Sequence, residues 1–279
     1  MSAKWNLIVD VASCSNCGNC VLAVKDEYVG NDFPGYSAAQ PQSGHKWLWV
    51  ERVVRGSGTA VDVAHVPMAC NHCDDAPCQK AAPDAVTKRD DGIVIFDPIK
   101  AVGRRDLVEV CPYGAVSWNS EKQLPQIWPF DAHLLDAGWS NPRGVQVCPT
   151  ECLSAVKITD AEMALIAKEQ ELTVLKPGLD TKPRIYYRNL WRAQEHFIAG
   201  NVVGYDDSGR EANLAGIEVF LFLDGVDRRT VRTDVFGDFK FDRLRAGQKF
   251  ELGLGAPDEL TNRNSGVVEQ SVNLGQLKI

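Results

Sequence analysis

The sequence predicts an α+β chain in two parts, a cysteine-rich N-terminal part of mixed structure and an all-β C-terminal part. Three observations carry that expectation. All 9 cysteines of the 279-residue chain fall between Cys14 and Cys152. From Phe197 onward apolar and polar residues alternate, in Gly216 to Leu223, Arg229 to Thr233 and Phe239 to Phe241, between turns rich in Gly and Asp. Between the two parts, Pro177, Gly178 and Pro183 break the pattern. The expected boundaries are 1–176 for the cysteine-rich domain, with an insertion at about 33–67, then a linker at 177–196. An antiparallel sandwich of about seven strands follows at 197–279.

A chain of this length suits two domains. Charged residues make up 24% and hydrophobic ones 44%, as in a globular protein, and a net charge of -7 with a pI near 5.3 argues against nucleic-acid binding. The opening residues Met1 to Asp10 lack a basic flank, an apolar core and a small-residue cleavage site, and no apolar run reaches the roughly 20 residues of a membrane span. The expectation is a cytoplasmic protein without a membrane span. An odd cysteine number in such a chain fits metal or redox chemistry better than a disulfide framework.

In chain order, Asn6 to Asp10 reads as a strand feeding the first cysteine loop, and Val21 to Glu27 as a helix stopped by Gly30 and Pro34. Within the insertion, Lys46 to Val53 and Val61 to Val66 read as a hairpin. Its Trp and Tyr residues suit either a partner interface or packing over the cysteine domain. Asp91 to Asp97 reads as a turn and strand. From Thr159 to about Leu172 a mostly solvated helix is expected, with Asp160 as its cap.

The cysteine spacing is the strongest chemical signal. Cys14, Cys17 and Cys20 stand at two-residue intervals, and Cys70, Cys73 and Cys78 form a second triplet. A zinc site takes separated hooks that close one tetrahedron. Three thiolates within seven residues instead wrap three corners of a cubane iron–sulfur cluster. A single buried Cys is ordinarily a small hydrophobe, but two triplets with cluster spacing are not. The dipeptides Cys111-Pro112 and Cys148-Pro149 supply remote fourth ligands, because ferredoxin motifs end in Cys-Pro. Cys152 is the alternative to Cys148. His72, inside the second triplet, is expected beside the ligands, tuning a cluster through hydrogen bonding. His45 and His133 are expected in the core or an interface.

Together, Cys-x2-Cys-x2-Cys, Cys-x2-Cys-x4-Cys, the strand at Gly92, Cys111-Pro112-Tyr113-Gly114 and Cys148-Pro149-Thr150 resemble the iron–sulfur subunits of the dimethyl-sulfoxide-reductase superfamily of molybdenum or tungsten enzymes. Phe33-Pro34-Gly35-Tyr36, Gly44-His45-Lys46-Trp47, Glu51-Arg52, Ala132 to Asp136 and Lys182 to Tyr187 resemble the small subunits of the transhydroxylase and anaerobic phenol-ring hydroxylase group. Thr233 to Phe241, with Leu244 and Gly247, resembles an Ig-like sandwich of the Cna-B or carboxypeptidase-regulatory type. The resemblance implies two ferredoxin-like halves with crossed ligation. Cys14, Cys17, Cys20 and Cys148 would hold one [4Fe–4S] cluster, and Cys70, Cys73, Cys78 and Cys111 the other.

The superfamily pattern has four clusters. One would need three cysteines before Cys111, where the chain reads Ala101-Val102-Gly103-Arg104-Arg105-Asp106-Leu107; the transhydroxylase group resembles it in this. Another would take Val24, Trp128, Asp131 and Gly144, none a cysteine. Two clusters are therefore expected, with the third site closed by side chains.

The chain shows no nucleophile elbow and no phosphate loop. The resemblance implies a non-catalytic electron-transfer and scaffold subunit of an anaerobic heterodimer. Its partner would be a large catalytic subunit that carries the molybdopterin cofactor and acts on phenolic rings. The alternatives are a stand-alone ferredoxin-like carrier and the electron-transfer subunit of another molybdopterin oxidoreductase.

Overall fold

The computed structural model describes residues 2–205, 208–255 and 261–279. Two compact units divide the chain: Met1–Arg52 with His65–Leu190, and Val53–Ala64 with Trp191–Ile279.

The first unit is built on a three-stranded sheet. Its central strand, Lys4–Asp10, pairs antiparallel with Leu153–Ile158 and parallel with Ile185–Arg188. Leu7, Ile8 and Val9 are all buried, as a strand covered on both faces requires. The third strand lies within the segment expected as a linker at 177–196. Ile185 and Tyr187 alternate inward and are buried, so residues up to Leu190 belong to the first unit.

Around this sheet the chain repeats one motif. Helix Asn19–Tyr28 begins within the first cysteine triplet and packs against the short helix Arg143–Gln146, which precedes Cys148. Helix Pro77–Ala81 begins within the second triplet and packs against Asp106–Val110, which ends at Cys111. Each remote cysteine is thus delivered by a helix lying on the helix of its triplet. The turn at Gly92 (φ 87°) joins Val86–Lys88 to Val94–Phe96. A Cβ on Gly92 would come within 2.9 Å of the Arg184 side chain, so glycine is required there for close approach as well as for backbone conformation.

Helix Asp160–Glu169 buries only Met163. Its cap is Thr159, not Asp160: the Thr159 hydroxyl accepts from the Glu162 amide while the Glu162 carboxylate accepts from the Thr159 amide. Asp160 is drawn instead into ion pairs with Lys4 and Arg184.

The insertion hairpin is longer than expected, pairing Leu48–Ser57 with Ala60–Ala69, and its outer part, Val53–Ala64, belongs to the second unit. At its base Trp47 is fully buried with its ring 4.9 Å from that of Tyr28, so this tryptophan packs rather than projects.

In the second unit, strand His196–Tyr205 pairs antiparallel with Asp238–Leu244 and Glu211–Asn213, and parallel with Val272–Lys278. A second sheet runs Asp227–Arg232, Glu218–Leu223, Lys249–Leu254 and Thr261–Val267, antiparallel throughout. Ile198, Val202, Phe239 and Phe241 of the first sheet and Val219, Leu221, Leu252 and Leu254 of the second share one apolar core. Arg55 of the hairpin, almost fully buried, is held here by ion pairs to Asp62 and Asp242, the Glu195 carbonyl and the faces of Trp191 and Phe197.

Candidate metal centre

All nine cysteines are free thiols. Cys14, Cys17, Cys20, Cys148 and Cys152 line one hollow, with Val50, Pro67 and Leu153 as its apolar wall. Cys20 feels the charges of Cys14, Cys148 and Cys17, and its burial pushes its pKa up to about 11. In the other half, Cys70 feels Cys78, Cys111 and Cys73, and burial raises it well above the ordinary thiol range. All four pack on a core of Ala76, Ala82, Ala101, Leu107 and Ala115. Among the described residues, no three His, Cys, Asp or Glu side chains are grouped as ligands of a single metal ion.

The two halves match residue by residue. Asn16 (φ 57°) and His72 (φ 45°), each the residue before the second cysteine of its triplet, are left-handed, and their backbone amides favour the charged forms of Cys14 and Cys70. Gly114 (φ 65°) and Glu151 (φ 52°), each three residues past a Cys-Pro cysteine, are also left-handed, and their amides donate back to the Cys111 and Cys148 carbonyls. The next residues are Ala115 and Cys152, both buried. Cys152 thus occupies the place of a core alanine, and Cys148 the place of Cys111. From that place the Cys152 thiol donates to the Cys14 sulfur, which holds the Cys14 pKa down at about 6 and drives that of Cys152 up.

His72 lies buried inside the second triplet. Its Nδ1 accepts from the Val94 amide at 3.1 Å, so Nε2 carries the proton, and that nitrogen has no partner among the described residues. The ring stands edge-on to Phe130, with Trp128 beyond. Complete burial depresses its pKa to about 3, with Lys88 adding to the effect, so the imidazole is neutral.

Val24, Trp128 and Asp131 are each at most 1% exposed, and Gly144 packs on Cys20 and Leu48. Asp131 takes three donors: Trp128 Nε1 at 2.8 Å, Tyr28 Oη at 2.9 Å and the Arg143 amide at 2.8 Å. Tyr28 lies one turn after Val24 on the same helix face. Burial raises the Asp131 pKa although these donors oppose it, and burial likewise raises that of Tyr28.

Sequence reasoning missed the cage around the second triplet. Asp74 receives Arg184, Lys88 and Lys4, and burial alone would raise its carboxyl, but Arg184 and Lys88 hold it well below the usual range. Arg184 also donates to Asn6 Oδ1.

Residues 61–158 match the family model of a 4Fe–4S dicluster domain. The pyrogallol hydroxytransferase small subunit of Pelobacter acidigallici is 36% identical over 279 residues, covering 99% of both chains. The chain belongs to the iron–sulfur subunits of the dimethyl-sulfoxide-reductase superfamily. Its relatives there include the probable anaerobic dimethyl sulfoxide reductase chain of Escherichia coli, 31% identical over 66% of this chain and 90% of that one. They also include the arsenate respiratory reductase iron–sulfur subunit of a Shewanella species, 25% identical over 66% and 95%. The first relative therefore matches nearly the whole chain, and the reductase subunits about two-thirds of it. Among the described residues no helix is long and apolar enough to cross a membrane.

The residues fit the clusters this family implies: the cysteines of each half lie together, beside Val50, Pro67 and Leu153 in one half and on a buried alanine-rich core in the other.

Proposed function

We propose that this chain is the small subunit of a heterodimer whose large subunit carries a molybdopterin cofactor and transfers hydroxyl groups to, or hydroxylates, phenolic rings. The observation that carries the reading is the full-length likeness to a pyrogallol hydroxytransferase small subunit, in a chain whose thiols fall into two matched foursomes.

Cys14, Cys17, Cys20 and Cys148 hold one [4Fe–4S] cluster, and Cys70, Cys73, Cys78 and Cys111 the other. When bound, such clusters supply one-electron transfer. The protein's part is to bury Cys20, Cys70 and Cys73, half-bury Cys14, Cys78, Cys111 and Cys148, and brace the second cysteine loop through Asp74 and Arg184. No cluster sits at Val24, Trp128, Asp131 and Gly144, where indole and carboxylate groups fill the space. Tunnelling weakens steeply with distance, so a missing link in the chain of clusters favours redox-neutral transfer, with clusters that set structure and local field, over rapid export of electrons. The second unit, read as an Ig-like Cna-B-type sandwich, serves as scaffold or docking module.

The test is anaerobic purification with an untagged large subunit. Co-elution with about eight irons and about eight acid-labile sulfides per small subunit supports the reading. About twelve irons would restore the third cluster, and elution alone would favour a free carrier. Stopped-flow reduction that cycles both clusters at the turnover rate would overturn the redox-neutral role.

A further inference from the structure

The hairpin that carries the Gly92 turn grips the loop of the second triplet. Lys88 and Val94 are cross-strand partners in it, and both bond to His72. The Val94 amide donates to His72 Nδ1, while Lys88 Nζ donates to the His72 carbonyl at 2.7 Å and to the Gly92 carbonyl at 2.6 Å. The same ammonium pairs with Asp74 Oδ1 at 2.9 Å. His72 and Asp74 are the residues on either side of Cys73, so a single cation straddles that cysteine. Its three neighbours are acceptors only, which suits an ammonium with three protons to donate.

The carboxylates of this cage do not cancel its cations. Asp74 is shared with Arg184 and with Lys4 at 3.3 Å, and Asp160 receives the same two, Arg184 at 2.6 Å and Lys4 at 2.9 Å. Three cations thus meet two carboxylates, which leaves one positive charge over. The Lys88 and Arg184 side chains are 14% and 4% exposed, so solvent screens that charge weakly. In the first triplet Gly18 stands at the place of Asp74, a position that offers no carboxylate to hold an ammonium.

We propose that Lys88, through its buried positive charge, raises the reduction potential of the cluster held by Cys70, Cys73, Cys78 and Cys111. The inference rests on the proposed ligand set. Reduction adds one negative charge to a cluster already held by four thiolates, and a fixed cation close by stabilises the reduced state more than the oxidised one. Lys88 acts through space and is not a ligand. The Asp74 carboxylate, on the other side of the balance, lowers the same potential.

The test is a potentiometric titration of the anaerobic heterodimer with dithionite, followed by electron paramagnetic resonance. Lys88→Gln removes the charge and keeps a donor for the His72 carbonyl: one of the two midpoint potentials moves to a more negative value and the other stays. Lys88→Arg keeps the charge and stays near the parent value. Asp74→Asn moves the same midpoint the opposite way, a reversal of sign that loosened packing does not produce. Lys88→Gln with full iron and both midpoints unmoved would overturn the inference, as would shifts of one sign in Lys88→Gln and Asp74→Asn. If either variant loses iron, Lys4→Gln decides, because it removes one cation of the same cage: a smaller negative shift supports the proposal and an unmoved midpoint counts against it. A parent protein lacking the iron and sulfide of the second cluster would instead overturn the ligand set itself.

Discussion

The indole N–H of Trp128 donates to the carboxylate of Asp131 at 2.8 Å, with both side chains at 0% exposure. An ionisable group so buried is stable only when its lone pairs are occupied, and Tyr28 and the Arg143 amide complete the set. Trp128→Ala opens a void and orphans one acceptor, for an expected loss of about 3–5 kcal/mol. Trp128→Phe retains most of the packing and costs about 1–2 kcal/mol for the lost donor. Urea unfolding under anaerobic conditions measures both. Iron content stays at the parent value in Trp128→Phe, because neither side chain is a ligand.

The proposed ligand set separates Cys148 from Cys152. Cys148→Ala removes about half the iron, from about eight to about four per chain. Cys152→Ala leaves iron unchanged, because the matching residue in the other half is Ala115, a core side chain. The measurement is iron and sulfide analysis of anaerobically purified variants; loss of iron in Cys152→Ala would reverse the assignment.

Arg184→Gln breaks the buried pair with Asp74 and releases Asn6. The expected cost is about 3 kcal/mol, in the range for removing one partner of a buried ion pair. Because Asp74 adjoins Cys73, chelator challenge should also remove iron from the second foursome faster than in the parent, with the first foursome unaffected.

His45 provides a pH dependence. Its Nε2–H donates to the Trp118 carbonyl at 2.8 Å, Nδ1 has no partner among the described residues, and burial lowers its pKa. The unfolded chain binds the proton more readily than the folded one. His45 therefore contributes stability that is fully present above its ordinary pKa of about 6.5 and is lost as pH falls through the lowered folded value. The loss is at most about 1.4 kcal/mol per pH unit. His45→Gln keeps a donor for Trp118 and removes the titration. Unfolding free energies of parent and variant between pH 7.5 and pH 5.5 should converge as pH falls; parallel curves would refute the assignment.

The candidate ligands were legible in the sequence because cluster loops are local: three thiols within nine residues leave few other uses, and Cys-Pro marks the proposed fourth. The start of the solvated helix was legible to within a residue, yet its cap was misread. Asp160 and Thr159 both suit a cap by type, and only the pull of Lys4 and Arg184 on Asp160 decides between them.

By itself the sequence determined which cysteines are candidates to hold the metal, that the chain has a cysteine-rich and an all-β portion, and the family to which it belongs. Only the tertiary structure decided that the strand at Ile185 joins the N-terminal sheet, that the hairpin tip belongs to the second unit, and that Arg184 meets Asp74. The reason is range. Ligand spacing and residue alternation are set by covalent geometry over a few residues. Tyr28, a partner of Asp131, and Arg184, a partner of Asp74, lie about a hundred residues away from them, and only burial, which forces every polar group to find a partner, brings them together.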